Sequence, residues 1–219
     1  MAQTPKKTVR KSAIKVNGRR PGRPVDEAKI AGILAVAMQL FLAHGYGATS
    51  MDLIARHAGV SKITVYAHFS SKAALFAAII NELAGTLTQA IEKLGFDGLP
   101  PEQALTEVGR SYLRLALAPR SLALHRLIIA DAGRVPGLGR LIHQSGPRPI
   151  VLTLATYLKG RPELAIDDAA LAAEQFLGMV LGHNQLGLLL AAKPPAKTRA
   201  AINGIVDHAV KLFLAGCRR

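Results

Sequence analysis

A weakly charged stretch, GVSKITVYAHFSSK at residues 59–72, gathers side chains of types that could do chemistry. Its hydroxyl, imidazole and ammonium groups could serve an enzyme site, lie on an ordinary surface helix, or contact the phosphates and base edges of DNA. An enzyme would also need a nucleophile beside a base, a paired carboxylate site or a cofactor loop. The sequence has no GxSxG, Walker, Rossmann or HExxH pattern. We therefore predict that the protein is not an enzyme.

Two short helices joined by a tight turn would hold this stretch. Ser50 is a good N-cap for the helix MDLIARHA, and Ser61 caps a second helix after Gly59. Gly59 can take the left-handed backbone conformation of the turn, and Val65 is an apolar plug from the second helix. The spacing predicts a helix-turn-helix over about residues 50–69, whose second helix enters the major groove of DNA.

Many residues of this region match a known family in fixed register. The stretch AHGYGATSMDLIARHAGVSKITVYAHFSSKAALF, within residues 27–76, resembles the DNA-binding head of the tetracycline-repressor (TetR) family of bacterial regulators. The later stretch LHRLIIADAGRVPGLGRLIHQSGPRPIVLTLATYLKG, with DDAALAAEQFLGMVLG after it, resembles the body of the AefR-like branch of that family. The resemblance implies a transcriptional regulator with a ligand-sensing, dimerising body. Repression is the role expected from the family, and the resemblance does not identify the inducer.

The resemblance also implies which residues contact DNA. Tyr66 and Lys72 resemble the family's phosphate-contacting tyrosine and fourth-helix lysine. A cation in the first turn of a helix has no structural reason to be there, which favours a phosphate partner for Lys72. Lys62 and Thr64 lie near the start of the reading helix and could reach phosphates or base edges. The predicted DNA-contacting residues are Arg23, Ser50, Lys62, Ile63, Thr64, Tyr66, His68 and Lys72.

Three of these residues have a second interpretation. Ser50 could cap its helix, donate to a phosphate, or do both. Ile63 stands where many relatives have glycine, so it could contact a thymine methyl or pack against the neighbouring helix. His68 is better suited to packing and hydrogen bonding near the DNA backbone than to acid-base chemistry. Ala67 is smaller than the residue often found in its position, so the operator sequence does not follow from these residues.

More than half of the net charge of +14 lies in a basic N-terminal arm. Residues 1–24 carry eight bases and no acid, whereas residues 25–85 carry as many acids as bases. Such a segment is typical of a disordered arm that is drawn to nucleic acid and releases counterions on binding. The end of the arm, GRRPGRP, resembles minor-groove hooks and would bring Arg23 to a narrow groove.

The remaining sequence predicts a series of consecutive helices. No alternating strand pattern competes, so we predict an all-α fold: a three-helix DNA-binding head with a helix-turn-helix, and a larger helical-bundle body for ligand sensing and dimerisation. The predicted body helices are a long one from Ser70 to about residue 94, then 101–117, 121–132, 137–159, 167–192 and 195–215. The predicted domains are the arm at 1–24, the DNA-binding domain at 25–72 and the body at 73–219.

Polar residues on the apolar helices of the body suggest a small-molecule pocket. The predicted ligand-binding residues are His125, His143, Met179, His183 and Asn184. Each histidine could instead be an exposed or internally satisfied residue. Their spacing fits no metal-ligand pattern, and the single cysteine, Cys217, excludes a cysteine zinc cluster and an internal disulfide. We predict an unidentified small-molecule effector, with neither metal nor cofactor.

A homodimer is expected because one head reads only a few base pairs, so specificity needs two heads on a palindromic site. Gly178 and Gly182 form a small-xxx-small step beside Phe176, which would permit close helix packing between subunits or within one bundle. We favour a two-fold four-helix interface made by the last two helices of each subunit. Phe176, Gly178 and Gly182 are the predicted interface residues.

The sequence does not predict a secreted or membrane-bound protein. The basic N-terminus is not followed by an apolar run, and the apolar stretch 171–192 is interrupted by Glu174, Gln175 and His183. We therefore expect a cytoplasmic, dimeric repressor whose partners are a double-stranded DNA operator and a small-molecule inducer. The alternatives are an activator of the same family and an architectural DNA-binding protein indifferent to sequence.

Overall fold

A computed structural model describes residues 27–93, 96–191 and 199–217. These residues form ten α-helices and one 3-10 turn, Phe96–Gly98, with no strand among them, and the predicted all-α fold is confirmed. The helices are α1 (Glu27–Ala48), α2 (Met51–His57), α3 (Lys62–His68), α4 (Lys72–Lys93), α5 (Pro101–Ala116), α6 (Pro119–Ala132), α7 (Leu138–Ser145), α8 (Pro147–Lys159), α9 (Ala169–Leu189) and α10 (Arg199–Cys217). The predicted arm, with Arg23, lies outside the described residues.

The head is built around three aromatic rings from α1 and α4. Phe41 stacks on Tyr46 with ring centroids 5.5 Å apart, and Phe76 meets both rings edge-on at 5.0 and 5.1 Å. The regular part of α1 ends at Gly45, where φ is 84° and ψ is 162°, a backbone conformation that glycine adopts readily. These packed rings fix the end of α1, from which the chain leads into α2.

Helix α4 belongs to two hydrophobic cores at once. Its first half contributes Ile79 and Ile80 to the core of the head, together with Leu124 of α6 and Leu138 of α7. Its second half contributes Ala84 and Leu87 to the core of the body. Because helices of the body complete the core of the head, the two parts pack against each other through α4, α6 and α7.

The predicted helix 137–159 is wrong, because the chain breaks there into α7 and α8. Gly146 has φ −109° and ψ −83°, and Pro147 starts α8 without a backbone N–H to continue α7. A Cβ on Gly146 would lie 3.0 Å from Cγ2 of Ile80 and 3.3 Å from the carbonyl oxygen of Ile142. The glycine therefore breaks the helix and also lets the α7–α8 corner approach α4.

The core of the body brings α5, α9 and α10 into close contact. A Cβ on Gly109 of α5 would lie 2.8 Å from Cγ1 of Val206 and 3.5 Å from Cζ of Phe176. Phe176 itself is fully buried and meets Phe213 edge-on, with ring centroids 5.3 Å apart. This corrects the assignment of Phe176 to the dimer interface, since its side of α9 faces the protein's own core.

Two helices of the described part are long and apolar enough to cross a membrane, judged by length and composition alone: Glu27–Ala48 and Ala200–Cys217. A third candidate is the pair Lys62–His68 and Lys72–Gln89, which is bent by 60°. The apolar side of α1 is buried within the protein, because Ile33, Ala37 and Phe41 belong to the core of the head. Helix α10 buries Val206 and Phe213 on one side and leaves an apolar side open.

Candidate nucleic-acid interface

Helices α2 and α3 begin at the two N-cap serines predicted from the sequence, Ser50 and Ser61. The Ser50 hydroxyl accepts the backbone N–H of Leu53 at 3.1 Å, and the Ser61 hydroxyl accepts that of Thr64 at 3.0 Å. Gly59, between the helices, has φ 65° and so adopts the predicted left-handed conformation. Both caps and the turn are confirmed, and they set the angle at which α3 leaves α2.

A small core fixes which side of α3 faces outward. Val65 is fully buried against Ile54 and Ala55 of α2, as predicted for the plug of the second helix. With Val65 turned in, α3 turns its other residues outward, and Thr64 is the half-buried one among them. The exposed ones are Lys62, Ile63, Tyr66, Ala67 and His68. The outward residues form a continuous surface, which we call the α3 face.

Ile63 is the most exposed large apolar side chain of the protein's described part, with 82% of its surface accessible. Packing against the neighbouring helix, one of the two interpretations of this residue, is therefore wrong. An isoleucine gains nothing from such exposure in water, since burial of apolar surface is what stabilises it. The exposed isoleucine gives the α3 face an apolar contact point at its beginning.

Lys62 is tied to α2 by an exposed ion pair. Its Nζ lies 2.8 Å from Oδ1 of Asp52, and it lies 5.8 Å from the centre of the Tyr66 ring. The hydrogen bond to Asp52, followed by the attraction of that carboxylate, raises the pKa of Lys62 above its usual value. Lys62 is therefore a cation at neutral pH, with part of its charge offset by Asp52.

Lys72 has a structural role that the sequence did not reveal. Its Nζ donates to the carbonyl oxygens of Tyr46 at 2.7 Å, Gly47 at 3.1 Å and Thr49 at 2.8 Å. An ammonium group has three hydrogens, so all of its donors are engaged. The expectation that a cation has no structural reason at this position is wrong. Lys72 closes the turn between α1 and the Ser50 cap, which we call the α1–α2 turn.

The body also holds the α1–α2 turn. Asp131, near the end of α6, accepts the backbone N–H of Tyr46 at 2.7 Å. The Thr49 hydroxyl, buried at the other end of the turn, donates towards the carbonyl oxygens of Gly45 at 2.8 Å and Leu40 at 3.2 Å. These hydrogen bonds hold the backbone immediately before Ser50, the residue at which the helix-turn-helix begins.

A cavity of about 110 Å³ lies in the body, between α4, α5, α6, the α7–α8 corner and α9. Most of its lining is leucine, isoleucine and alanine. Its polar side chains are Tyr112, Ser121, His125 and Gln185. His125 was predicted to bind ligand, and it lines the cavity. Tyr112 and Ser121 also line it, although they were not predicted as ligand-binding residues. Six helices, α4 to α9, contribute to the cavity, so periodicity along any one of them does not identify its lining.

The structure corrects the remaining part of the predicted ligand set, because four of its members do not line the cavity with His125. His143 and His183 are exposed, and Met179 faces outward between α9 and α10. Asn184 is half-buried away from the cavity lining. Gly182 has φ 38° and ψ −141°, so it kinks α9 and changes the rotation of the following turn. Beyond this kink, Gln185 is the residue that reaches the cavity.

The outer side of α9 and α10 is apolar and open. A shallow groove between the two helices is lined by Met179, Gly204, Ile205 and Leu212. Among the described residues, no atom lies within 4 Å of a Cβ placed on Gly178 or Gly182, so neither glycine serves packing against that part of its own subunit. This side, which we call the α9–α10 face, also leaves Leu186 exposed. Within the described residues, no cluster of three or more His, Cys, Asp or Glu could hold a metal ion.

Two family models match the chain. The one described as "Bacterial regulatory proteins, tetR family" matches residues 33–79, which include α2, α3 and the α1–α2 turn. The one described as "AefR-like transcriptional repressor, C-terminal domain" matches residues 103–217, which include most of the body. The DNA-binding unit and the cavity-bearing body are thus each recognised separately.

Similar proteins are regulators of transcription. The HTH-type transcriptional activator FasR of Mycolicibacterium smegmatis is 38% identical over 78 residues, which are 35% of this chain and 35% of FasR. The chain thus spans about a third of that curated relative. The solved structure of the flavonoid-responsive regulator FrrA is 36% identical, with a TM-score of 0.70, over 88% of this chain and 98% of FrrA. The solved structure of a TetR-family transcriptional regulator from Mesorhizobium loti is 29% identical, with a TM-score of 0.73, over 90% of this chain and 100% of that chain.

Proposed function

The chain belongs to the TetR family of helix-turn-helix transcriptional regulators, and from this premise we propose that it is a dimeric repressor that a small molecule releases from a palindromic operator. The observation that carries the proposal is the α3 face, which stays exposed because buried Val65 anchors the helix from behind. An exposed isoleucine, a cation and a tyrosine on one short helix suit a major groove. The protein acts in the cytoplasm, where bacterial DNA lies.

The DNA contacts divide into base reading and phosphate binding. Ile63 contacts a thymine methyl, because its apolar side chain fits that group and stays 82% exposed within the described part of the protein. The proposed phosphate and backbone contacts come from Ser50, Lys62, Thr64, Tyr66 and His68, with Arg23 of the arm in the minor groove. Lys72, whose three donors are engaged by carbonyl oxygens, supports these contacts by closing the α1–α2 turn and not by binding a phosphate itself.

The working units are the arm at 1–24, the DNA-binding domain at 25–72 and the body at 73–219. Two subunits associate through the α9–α10 face, which forms a two-fold four-helix bundle. Open Gly178 and Gly182 support this interface, because they let a partner helix approach α9 closely. Dimerisation brings two α3 helices to adjacent major grooves, about one helical turn apart or more.

Repression is favoured over activation by the family model that covers the body, whose description names a repressor. FasR, named as an activator, is the counterexample among similar proteins. A reporter gene under the natural promoter separates the two roles. Deletion of the regulator raises reporter expression if it represses, and lower expression after deletion contradicts repression.

Release from DNA follows from the position of α6. This helix lines the cavity with Ser121, Leu124 and His125, and further along it holds the α1–α2 turn through Asp131. A ligand that favours a shifted α6 therefore also favours a shifted turn and a different spacing of the two heads. The size of the response is limited by the ligand's difference in affinity for the two conformers. The name of FrrA as flavonoid-responsive supports a small-molecule effector in this architecture.

Selection of bound sequences from random double-stranded DNA tests the proposed function. We expect a palindromic site that the protein holds at least about a thousandfold more tightly than bulk DNA. Tyr66→Ala should weaken binding to that site, with Leu152→Ala, on the exposed surface of α8, as the control. Binding that is equal on every sequence would instead identify an architectural DNA-binding protein.

A further inference from the structure

We propose that the body cavity selects a compact, neutral molecule, about the size of one six-membered ring, whose hydroxyl group donates a hydrogen bond to Nε2 of His125. This proposal rests on the proposed function, because it names the chemical class of the effector. It follows from four observations: the hydrogen bonds of His125, the charges around the cavity, its size, and the hydroxyl groups of its lining.

The hydrogen bonds of His125 identify the nitrogen that accepts. Nδ1 lies 2.8 Å from the backbone carbonyl oxygen of Ser121, which can only accept, so Nδ1 carries the hydrogen. In the neutral ring Nε2 is then an acceptor. The Nε2 amide nitrogen of Gln185 lies 3.4 Å from it, at the long limit of a hydrogen bond. A ligand hydroxyl would make a shorter bond to the same acceptor.

The cavity lining has no carboxylate, ammonium or guanidinium group to pair with an ionised ligand. None of its lining residues is Asp, Glu, Lys or Arg. Burial raises the pKa of Tyr112, so its hydroxyl is neutral at physiological pH. Arg126, next to His125 in sequence, instead donates to the carbonyl oxygens of Leu188 and Leu189 at 2.6 and 3.0 Å. An unpaired charge is expensive to bury, so carboxylates and ammonium ions are disfavoured.

The size of the cavity limits the part of the ligand that it encloses to a single ring. Its volume is about 110 Å³, whereas an engineered apolar cavity of about 150 Å³ holds benzene. Leu83, Leu115, Leu124 and Ile150 supply apolar contacts around this space. One ring takes up most of this space, and any larger part of a ligand would lie outside it, on the open side of the cavity.

The hydroxyl groups of the lining distinguish an alcohol or phenol from an ether. Ser121 is buried, Tyr112 is half-buried, and neither side chain has a hydrogen bond to another residue in the described part of the protein. A ligand hydroxyl can donate to His125 and accept from one of these groups. An ether only accepts, so it would leave Nε2 of His125 without a ligand donor.

Calorimetric titration of the full-length protein with three probes of similar shape tests the proposal. The probes are 4-methylphenol, 4-methylanisole, which lacks the donor, and 4-methylbenzoate, which is an anion. We expect 4-methylphenol to bind about tenfold more tightly than 4-methylanisole, and the benzoate to bind more weakly than both. Equal affinity for the phenol and the anisole, or a preference for the benzoate, would overturn the proposal.

Two variants assign any preference to His125. His125→Ala should bind the phenol and the anisole equally, whereas His143→Ala, which removes an exposed histidine outside the cavity, should keep the wild-type ratio. If His125→Ala does not fold, Gln185→Leu provides the test, because it removes the competing amide and should preserve or increase the preference for the phenol. Loss of the preference in Gln185→Leu or in His143→Ala would count against His125 as the acceptor.

The titration uses no DNA, so its result is independent of the DNA selection. A phenol preference that depends on His125 supports the ligand class even if the selected DNA shows no palindrome, in which case only the regulatory function falls. Indiscriminate probe binding together with a palindromic operator would overturn the ligand class and leave the regulator intact.

Discussion

The carboxylate of Asp131 accepts the backbone N–H of Tyr46 at 2.7 Å, which joins α6 of the body to the end of α1 in the head. The carbonyl oxygen of the same tyrosine accepts from Lys72 at 2.7 Å. Both sides of the Tyr46 backbone are therefore held by charged side chains, one from each part of the protein. Because α6 also lines the cavity, this contact offers a direct route from ligand to DNA-binding unit.

Removal of the Asp131 carboxylate should loosen the α1–α2 turn. In Asp131→Ala the Tyr46 N–H loses its acceptor, so we expect its hydrogen exchange to accelerate and the free energy of unfolding to fall by about 1–3 kcal/mol. Asp131→Asn keeps an acceptor oxygen, so its exchange rate and its free energy of unfolding should lie between those of the wild type and of Asp131→Ala. Hydrogen exchange by NMR and urea unfolding measure both effects. Glu82→Ala, on the exposed side of α4, is the control, and an equal change there would contradict the role of Asp131.

Lys72 and Lys62 should separate structural support from DNA contact. Lys72→Met leaves three carbonyl oxygens without their donor and should lower both the melting temperature and the affinity for the operator. Lys62→Met breaks only an exposed ion pair, so it should lower the affinity for the operator and leave the melting temperature nearly unchanged. Thermal unfolding and fluorescence anisotropy with labelled operator test this. Equal loss of stability in both variants would refute the distinction.

Ile63 should affect DNA binding without affecting stability. Because it is exposed, Ile63→Ala should leave the free energy of unfolding within about 0.5 kcal/mol of wild type. Val65→Ala, two residues further along the same helix but buried, should lower the free energy of unfolding by about 2 kcal/mol. On the operator, replacing the contacted thymine by uracil removes the methyl group and should weaken wild-type binding but not binding by Ile63→Ala. If uracil weakens both proteins equally at every thymine, Ile63 does not read a methyl group.

The α9–α10 face should determine the oligomeric state. Leu212 is 52% exposed on this face, and Leu152 is 50% exposed on α8, away from it. Leu212→Glu places a charge in the proposed interface and should shift the dimer towards monomer, whereas Leu152→Glu should leave the dimer intact. Analytical ultracentrifugation over a range of concentrations measures the difference. A dimer unaffected by Leu212→Glu would place the interface elsewhere.

The basic arm should dominate the dependence of DNA binding on salt. Residues 25–85 have equal numbers of acids and bases, so the arm supplies most of the attraction to phosphate. If about four arm residues engage phosphates in each subunit, deletion of residues 1–23 should reduce the slope of log K against log salt by roughly 3–4 units per subunit. Affinity should fall on any DNA sequence. A slope unchanged by the deletion would exclude a role for the arm.

Local signals in the sequence were sufficient for the helix-turn-helix. Ser50 and Ser61 each cap a helix by bonding to an amide three residues along, and Gly59 provides a backbone conformation that depends mainly on having no side chain. Val65 was identifiable because a short helix has one apolar position facing its neighbour. The two caps and the glycine turn depend on contacts within about one helical turn, which a sequence shows directly.

Contacts between distant residues could not be predicted in this way. Lys72 bonds to carbonyls that lie 23 to 26 residues earlier in the chain, and Asp131 bonds to a tyrosine 85 residues away. Phe176 was expected on the surface and lies in the core, because the packing of α5 and α10 decides which side of α9 turns inward.

The sequence by itself determined the helical elements, the helix-turn-helix, the family and the concentration of positive charge in the arm. The tertiary structure alone decided the partners of Lys72 and Asp131, and the position of His125 rather than His143 or His183 at the cavity. The physical reason is that capping and periodicity act over a few residues, whereas the rotation of each helix and the groups it meets depend on the simultaneous packing of all its neighbours.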